Sequence, residues 1–161
     1  MPERTVDRVW ELLRTIPDPE IPVISLVDLR VVTDVRVSGS AVDVVLRPTF
    51  SGCPALEHMR EEVGRVLRAD GFDPIRVTVD LTRSWTTDDL DASTRERLRG
   101  IGIAPPPMRS HDLAFDLAAP VSCPHCGSAE TTLDSAFGST LCKQIFFCRS
   151  CRQSFDRFKP L

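Results

Sequence analysis

Val6, Val9, Trp10, Leu12, Leu13 and Ile16 recur at the three-to-four-residue spacing of one helical face, with Thr5 placed before them as a cap. Pro17 ends that helix. Asp18-Pro19-Glu20-Ile21-Pro22 then reads as a stiff, extended loop, because each proline disfavours helical geometry in the residue before it. Residues 31–37 and 41–47 are rich in β-branched side chains and flank Ser38-Gly39-Ser40, which predicts a hairpin. Leu56, Met59, Val63, Val66 and Leu67 predict a second helix from about Pro54 to Asp70, with Gly71 as its C-terminal cap. Ile75, Val77, Val79 and Leu81 alternate as a third strand. A polar stretch, residues 84–89, leads into a short helix near 92–99, ended by Gly100 and Gly102. Pro105-Pro106-Pro107 and the residues up to Ala119 read as a linker.

This order predicts an α+β protein. Residues 1–104 form a small α-β-β-α-β-α domain whose sheet has three strands or more, with helices on one face. Residues 105–120 form the linker, and 121–161 a second, zinc-ribbon-like β domain. So short a segment rarely folds on an apolar core alone and calls for a metal or disulfides. It holds five of the eight phenylalanines: Phe137, Phe146, Phe147, Phe155 and Phe158. Packing around short strands accounts for most of them, and a partner surface is the other use.

Charge narrows the picture. The chain has 161 residues and a net charge of −3. Residues 121–161 carry Lys143, Arg149, Arg152, Arg157 and Lys159 against Glu130, Asp134 and Asp156, a balance of +2, so the rest is acidic at −5. An acidic body with a weakly basic tail is a poor match for nucleic acid. Residues 1–8 contain no apolar signal region, and no run approaches the roughly eighteen apolar residues of a membrane span. A cytoplasmic protein with reduced thiols and no membrane partner is expected.

Its six cysteines then become chemistry. Cys123-Pro124-His125-Cys126 is answered by Cys148-Arg149-Ser150-Cys151, two C-x2-C pairs with twenty-one residues between them. A two-residue gap turns both sulfurs of a pair toward one ion, and two such knuckles complete a tetrahedron. Zinc is the default ion, closed in by four thiolates, and iron in the same cage is the alternative. Paired disulfides would need an oxidising compartment. Gly127 suits the left-handed position after the first knuckle, and the second has Arg152 there. His125 reads as a solvated loop residue, and Cys142, without a C-x2-C partner, as packing or a thiol beside the site.

A second constellation lies where a strand passes into a helix. Pro54 suits the first helical position, which sets Cys53 at or beside the cap, where backbone N–H groups and the helix dipole favour an anion. That position lowers a thiol pKa below its free value of about 8.5. A small buried hydrophobe is the other reading. Asp18 and Glu20 on their proline-stiffened loop could join Cys53 in a mixed thiolate–carboxylate site for a transition metal. One thiolate and two carboxylates are too few to hold an iron–sulfur cluster firmly. His58 reads as an exposed helix position. There is no Glu-x-x-His pair for a di-iron oxygenase and no dinucleotide fingerprint.

Asp18-Pro19-Glu20-Ile21-Pro22, Ser25-Leu26-Val27-Asp28-Leu29 and Thr49-Phe50-Ser51-Gly52-Cys53-Pro54-Ala55 resemble the SufT-type metal–sulfur cluster biosynthetic domain. Trp85-Thr86-Thr87-Asp88 and residues 102–106 extend the likeness. With a ribbon containing Phe137-Gly138-Ser139-Thr140-Leu141-Cys142-Lys143, nearly the whole chain is similar to the PaaD family. The resemblance implies an accessory, non-catalytic subunit of the phenylacetyl-CoA epoxidase system in phenylacetate degradation. Its oxygenase or reductase subunits would be the partners. Cys53, Asp18, Glu20 and Thr49 would handle iron or a transient iron–sulfur cluster. A structural adaptor without metal delivery is the alternative, and oligomeric state, a homodimer included, stays open. One departure is Arg30, where the family usually has glycine. If that position takes a positive φ, arginine is strained there.

Overall fold

The computed structural model describes residues 4–106, 116–117 and 119–160. It divides into two compact units, Met1–Trp85 and Thr86–Leu161.

The first unit begins with α1 (Val6–Leu13), capped as expected by the Thr5 hydroxyl, which accepts from the Arg8 N–H. β1 (Val32–Ser38) and β2 (Ala41–Leu46) form the predicted antiparallel hairpin. α2 (Leu56–Ala69) then crosses over to β3 (Ile75–Val79), which pairs parallel with β2, giving a three-stranded sheet in the order β1-β2-β3. Parallel neighbours need such a crossover, and α2 supplies it. Val42, Val44 and Leu46 present one buried row on the central strand. Val9 and Leu13 of α1 and Met59, Val63 and Leu67 of α2 are buried as well, each set on one helical stripe. Arg8 joins the helices, its guanidinium donating to both carboxylate oxygens of Asp70 at 2.7 and 3.2 Å.

Three boundaries differ from the sequence reading. α1 ends at Leu13 with Arg14 as its C-cap, short of Ile16 and before Pro17 is reached. α2 starts at Leu56 rather than Pro54, because Cys53–Ala55 is occupied by a turn in which the Leu56 N–H reaches the Cys53 carbonyl. β3 stops at Val79, since Asp80 turns its carboxylate onto the Thr82 N–H and hydroxyl. The proline-rich loop is more deeply built in than a stiff connector: Ile21, Ile24, Leu26, Leu29 and Val31 are all buried. Its backbone closes on itself through Asp18 N–H to Ile24 O and Leu26 N–H to Ile16 O. The Trp85 indole N–H bonds Leu29 O at 2.8 Å. Arg30 takes φ 58°, the left-handed conformation anticipated for a glycine.

The second unit contains a 3₁₀ turn (Thr87–Asp89), α3 (Ala92–Gly100), β4 (Ile103–Ala104), β5 (Thr131–Ser135), β6 (Lys143–Cys148) and β7 (Ser154–Phe158). β5, β6 and β7 form an antiparallel meander, and β4 adds to it by pairing parallel with β7, giving the order β4-β7-β6-β5. The short helix of the sequence reading is α3, capped by the Asp91 carboxylate on the Thr94 N–H and grouped with the ribbon. Its Arg95 donates to the carbonyls of Thr87, Leu90 and Pro106. Ala104 enters the same apolar cluster as Val121, Cys123, Phe146, Cys148 and Phe155. Of the expected linker, residues 107–115 and 118 lie outside the described residues. Fully buried Arg157 holds its far end, donating to the carbonyls of Asp116 (2.7 Å) and Leu117 (3.0 Å) and lying 5.0 Å from the Phe146 ring centre. Burial brings its guanidinium pKa down to about 10. Phe146, Phe155 and Phe158 are buried and Phe147 half-buried, whereas Phe137 is 71 % exposed.

Candidate metal centres

In the second unit the two knuckles face each other. The first precedes β5, and the second turns β6 into β7. Each closes with the same hydrogen bond: the Gly127 N–H to the Cys123 carbonyl (2.8 Å), and the Arg152 N–H to the Cys148 carbonyl (2.9 Å). Gly127 takes φ 76° and Arg152 φ 60°, so the two loops share one conformation although only the first has glycine for it. The four sulfurs lie within 4.8 Å of one another, with Cys123–Cys151 at 3.7 Å and Cys126–Cys148 at 3.6 Å. Four sulfurs about 2.3 Å from a tetrahedral zinc would stand about 3.8 Å apart, so this donor set fits that ion. The Cys151 and Ser150 backbone N–H groups point at the Cys148 sulfur, and chiefly the first brings its pKa down to about 7. Burial pushes the Cys151 thiol up to about 12. A bound dication removes that opposition by favouring all four thiolates.

His125 is not one of this group; it is exposed, with its ring edge-on to Phe155 at 6.4 Å between centroids. Cys142 is buried outside the group, its sulfur 3.2 Å from the Thr140 hydroxyl.

In the first unit Cys53, Asp18 and Glu20 become neighbours. Cys53 is half-buried in the β2–α2 loop, its N–H bonded to Phe50 O. Half-buried Thr49 lies in the same loop, and His58 is an exposed position of α2, as expected. Asp18 is buried, and its Oδ1 accepts from the Glu20 and Ile21 N–H groups at 2.9 and 2.8 Å, which fixes the carboxylate. The expected depression of the Cys53 thiol pKa is overturned: the structure raises it. Burial is the largest cause, and the negative charges of Glu20 and Asp18 add to it. The Ala55 and Leu56 N–H groups do oppose this, as a helix start should, but they lose. Among the described residues, only the four ribbon cysteines form a group of three or more ligand atoms within 4.8 Å. Cys53, Asp18 and Glu20 do not form such a group.

Sequence reasoning missed Arg157 and Gln144, buried polar residues of the ribbon, and the pairing of Ile103–Ala104 with β7. Two residues are too short a run to carry a periodic signal. Among the described residues no helix is long and apolar enough to cross a membrane.

Comparison with known proteins places both halves. Residues 109–159 match the family described as the PaaD zinc beta ribbon domain, and residues 6–83 match the iron-sulfur cluster assembly protein family. The chain is 45 % identical over 154 residues, 96 % of its own length and 92 % of the relative's, to a putative subunit of the 1,2-phenylacetyl-CoA epoxidase of Escherichia coli (strain K12). Among solved structures it is similar to a domain of unknown function, DUF59, from Bacillus anthracis, with TM-score 0.53, 22 % identity and coverage of 57 % of this chain and 89 % of that one. A conserved hypothetical protein from Thermotoga maritima gives TM-score 0.53 at 20 % identity, over 61 % of this chain and 97 % of the other. At those identities the two structures speak to the α+β fold alone.

Proposed function

This chain belongs to the PaaD family, that of the putative epoxidase subunit of Escherichia coli, and from that membership we propose that it is an accessory maturation factor of the phenylacetyl-CoA epoxidase system in phenylacetate degradation. Its cargo is iron or an iron–sulfur cluster, received on Cys53 with Asp18, Glu20 and Thr49 at the mouth of the β2–α2 loop. The observation that carries this reading is the cluster of one half-exposed thiol with two carboxylates whose charges bear on it. Thiolate and carboxylate together suit iron, and an incomplete ligand set leaves positions for a donor and a client to fill. The same charges that raise the thiol pKa favour a cation at that point.

The ribbon serves differently. Four thiolates leave no open coordination position, so its ion, zinc, is structural and stays in place. The oxygenase or reductase subunits of the epoxidase are then the partners, with the ribbon docking and the first unit exchanging metal. A second reading, an adaptor with no metal delivery, draws on Phe137 and Leu141, 71 % and 46 % exposed in one loop of the ribbon.

The test is iron and acid-labile sulfide content after anaerobic reconstitution of the full chain and of Cys53→Ser, followed by metal content and activity of the co-expressed epoxidase. Iron bound by the parent and lost in Cys53→Ser, with a metal-deficient but still associated epoxidase, is the expected result. A fully loaded, active epoxidase beside Cys53→Ser leaves the adaptor reading standing.

A further inference from the structure

The four ribbon cysteines differ sharply in exposure. Cys123 and Cys148 are buried at 2 % and 0 % exposure and belong to the apolar cluster of the sheet. Cys151 is half-buried, and Cys126 alone is exposed. All four sulfur pairs that cross between knuckles lie within 4.8 Å, and the one at 3.6 Å joins this exposed residue to Cys148. A disulfide needs about 2.05 Å between sulfurs, so closing this pair takes a shift of about 1.5 Å, within reach of side-chain torsions at the tip of a loop. Cys123–Cys151 lies at 3.7 Å, and neither of those residues is as exposed as Cys126.

We propose that Cys126 is the entry point for peroxide oxidation of the four-thiolate centre, forming a Cys126–Cys148 disulfide across the knuckles and expelling the bound ion. The Cys126 sulfur attacks one oxygen of hydrogen peroxide, the O–O bond breaks, and the leaving hydroxide takes a proton to become water. The Cys126 sulfenic acid that results is attacked by the Cys148 sulfur; its S–O bond breaks, and the second hydroxide leaves as water. Two thiolates, one peroxide and two protons give one disulfide and two waters, so the two electrons are accounted for. The dication keeps two ligands of four, which is too few to hold it. Because docking and metal exchange are assigned to different units, this switch acts on the ribbon without touching Cys53, and it stands whether or not the cargo reading does.

The experiment uses the full chain, reduced and loaded with zinc. Hydrogen peroxide is added, zinc release is followed with a chromogenic chelator, and disulfides are mapped by mass spectrometry after alkylation. The expected result is release of about one zinc per chain together with a first disulfide linking Cys126 to Cys148. Cys126→His keeps a ligand at that corner, and it should slow release about tenfold or more, since imidazole does not follow the thiol oxidation path. Cys53→Ser and Cys142→Ser should release zinc at the parent rate. A first disulfide between any other pair overturns the proposal, as does unchanged release from zinc-loaded Cys126→His or zinc retained through peroxide treatment. Should Cys126→His fail to hold zinc, the disulfide map of the unsubstituted chain decides alone.

Discussion

At the scale of single residues, two positions carry strain or charge that a helix or strand pattern does not show. Cys53 has backbone donors aimed at its sulfur, yet burial and two carboxylates outweigh them. Its alkylation rate, measured in the zinc-loaded chain with Cys142 replaced by serine, should reach half-maximum above the free-thiol value of about 8.5. Iron binding through this sulfur must displace a proton, so affinity should rise as pH rises toward that midpoint. A midpoint at or below the free value would mean that burial and the neighbouring carboxylates do not outweigh the backbone donors. Arg30 is the other case. Its φ of 58° costs an L-residue about 1–2 kcal/mol. Glycine removes that cost but frees the unfolded chain by about 0.4–1 kcal/mol. Arg30→Gly should therefore stabilise the first unit by about 0.5–1 kcal/mol, read from the denaturant midpoint at unchanged slope. A loss of stability would show that the arginine side chain does more than tolerate its turn.

At the scale of elements, α1 is held to the C-terminal end of α2 by the Arg8–Asp70 fork. The hydrogen bond from Arg8 holds the Asp70 carboxyl below its ordinary range. The sign follows directly: a depressed carboxyl pKa contributes stability above the unfolded value of about 3.9, and that contribution is lost as pH falls through the folded one. Both side chains are partly exposed, so the pair is screened and contributes about 1 kcal/mol at most. Asp70→Asn should thus lower stability by up to about 1 kcal/mol at pH 7, and the gap to the parent should narrow and close as pH falls below the unfolded carboxyl value of about 3.9 in paired denaturation curves. A gap that stays constant with pH would assign the effect to lost packing.

At the scale of the whole molecule, the two units have different sources of stability. The first buries rows of aliphatic residues on α1, α2 and β2. The second has a small apolar cluster in which two of the metal-binding cysteines take part. Binding of a structural zinc contributes about 10–16 kcal/mol in small domains, comparable to or more than the net stability of a whole domain. Zinc removal should therefore melt the second unit and spare the first. Because β4 pairs with β7 and α3 packs on β4, the melted region should include residues 92–104 as well as 121–160. Amide hydrogen exchange before and after chelation reads this directly. Protection retained in α3 after chelation would show that the helix stands without the ribbon sheet.

The sequence by itself determined the elements whose signal is local. Thr5 before an apolar stripe gave α1, Ser38-Gly39-Ser40 between β-branched runs gave the hairpin, and the C-x2-C pairs gave the metal group, because a cap, a turn and a knuckle are decided within a few residues. Tertiary structure decided what depends on distance through space. The fate of Cys53 turned on burial, and then on carboxylates more than thirty positions earlier in the chain, which together raise its pKa although the backbone donors of the loop alone would lower it. The addition of β4 to the ribbon turned on backbone pairing of two residues with β7, which leaves no period to read. Arg157, a charge that composition would assign to the surface, is buried because carbonyls some forty residues away and the Phe146 ring surround it. Electrostatics and burial are sums over neighbours in space, and only the fold sets which neighbours those are.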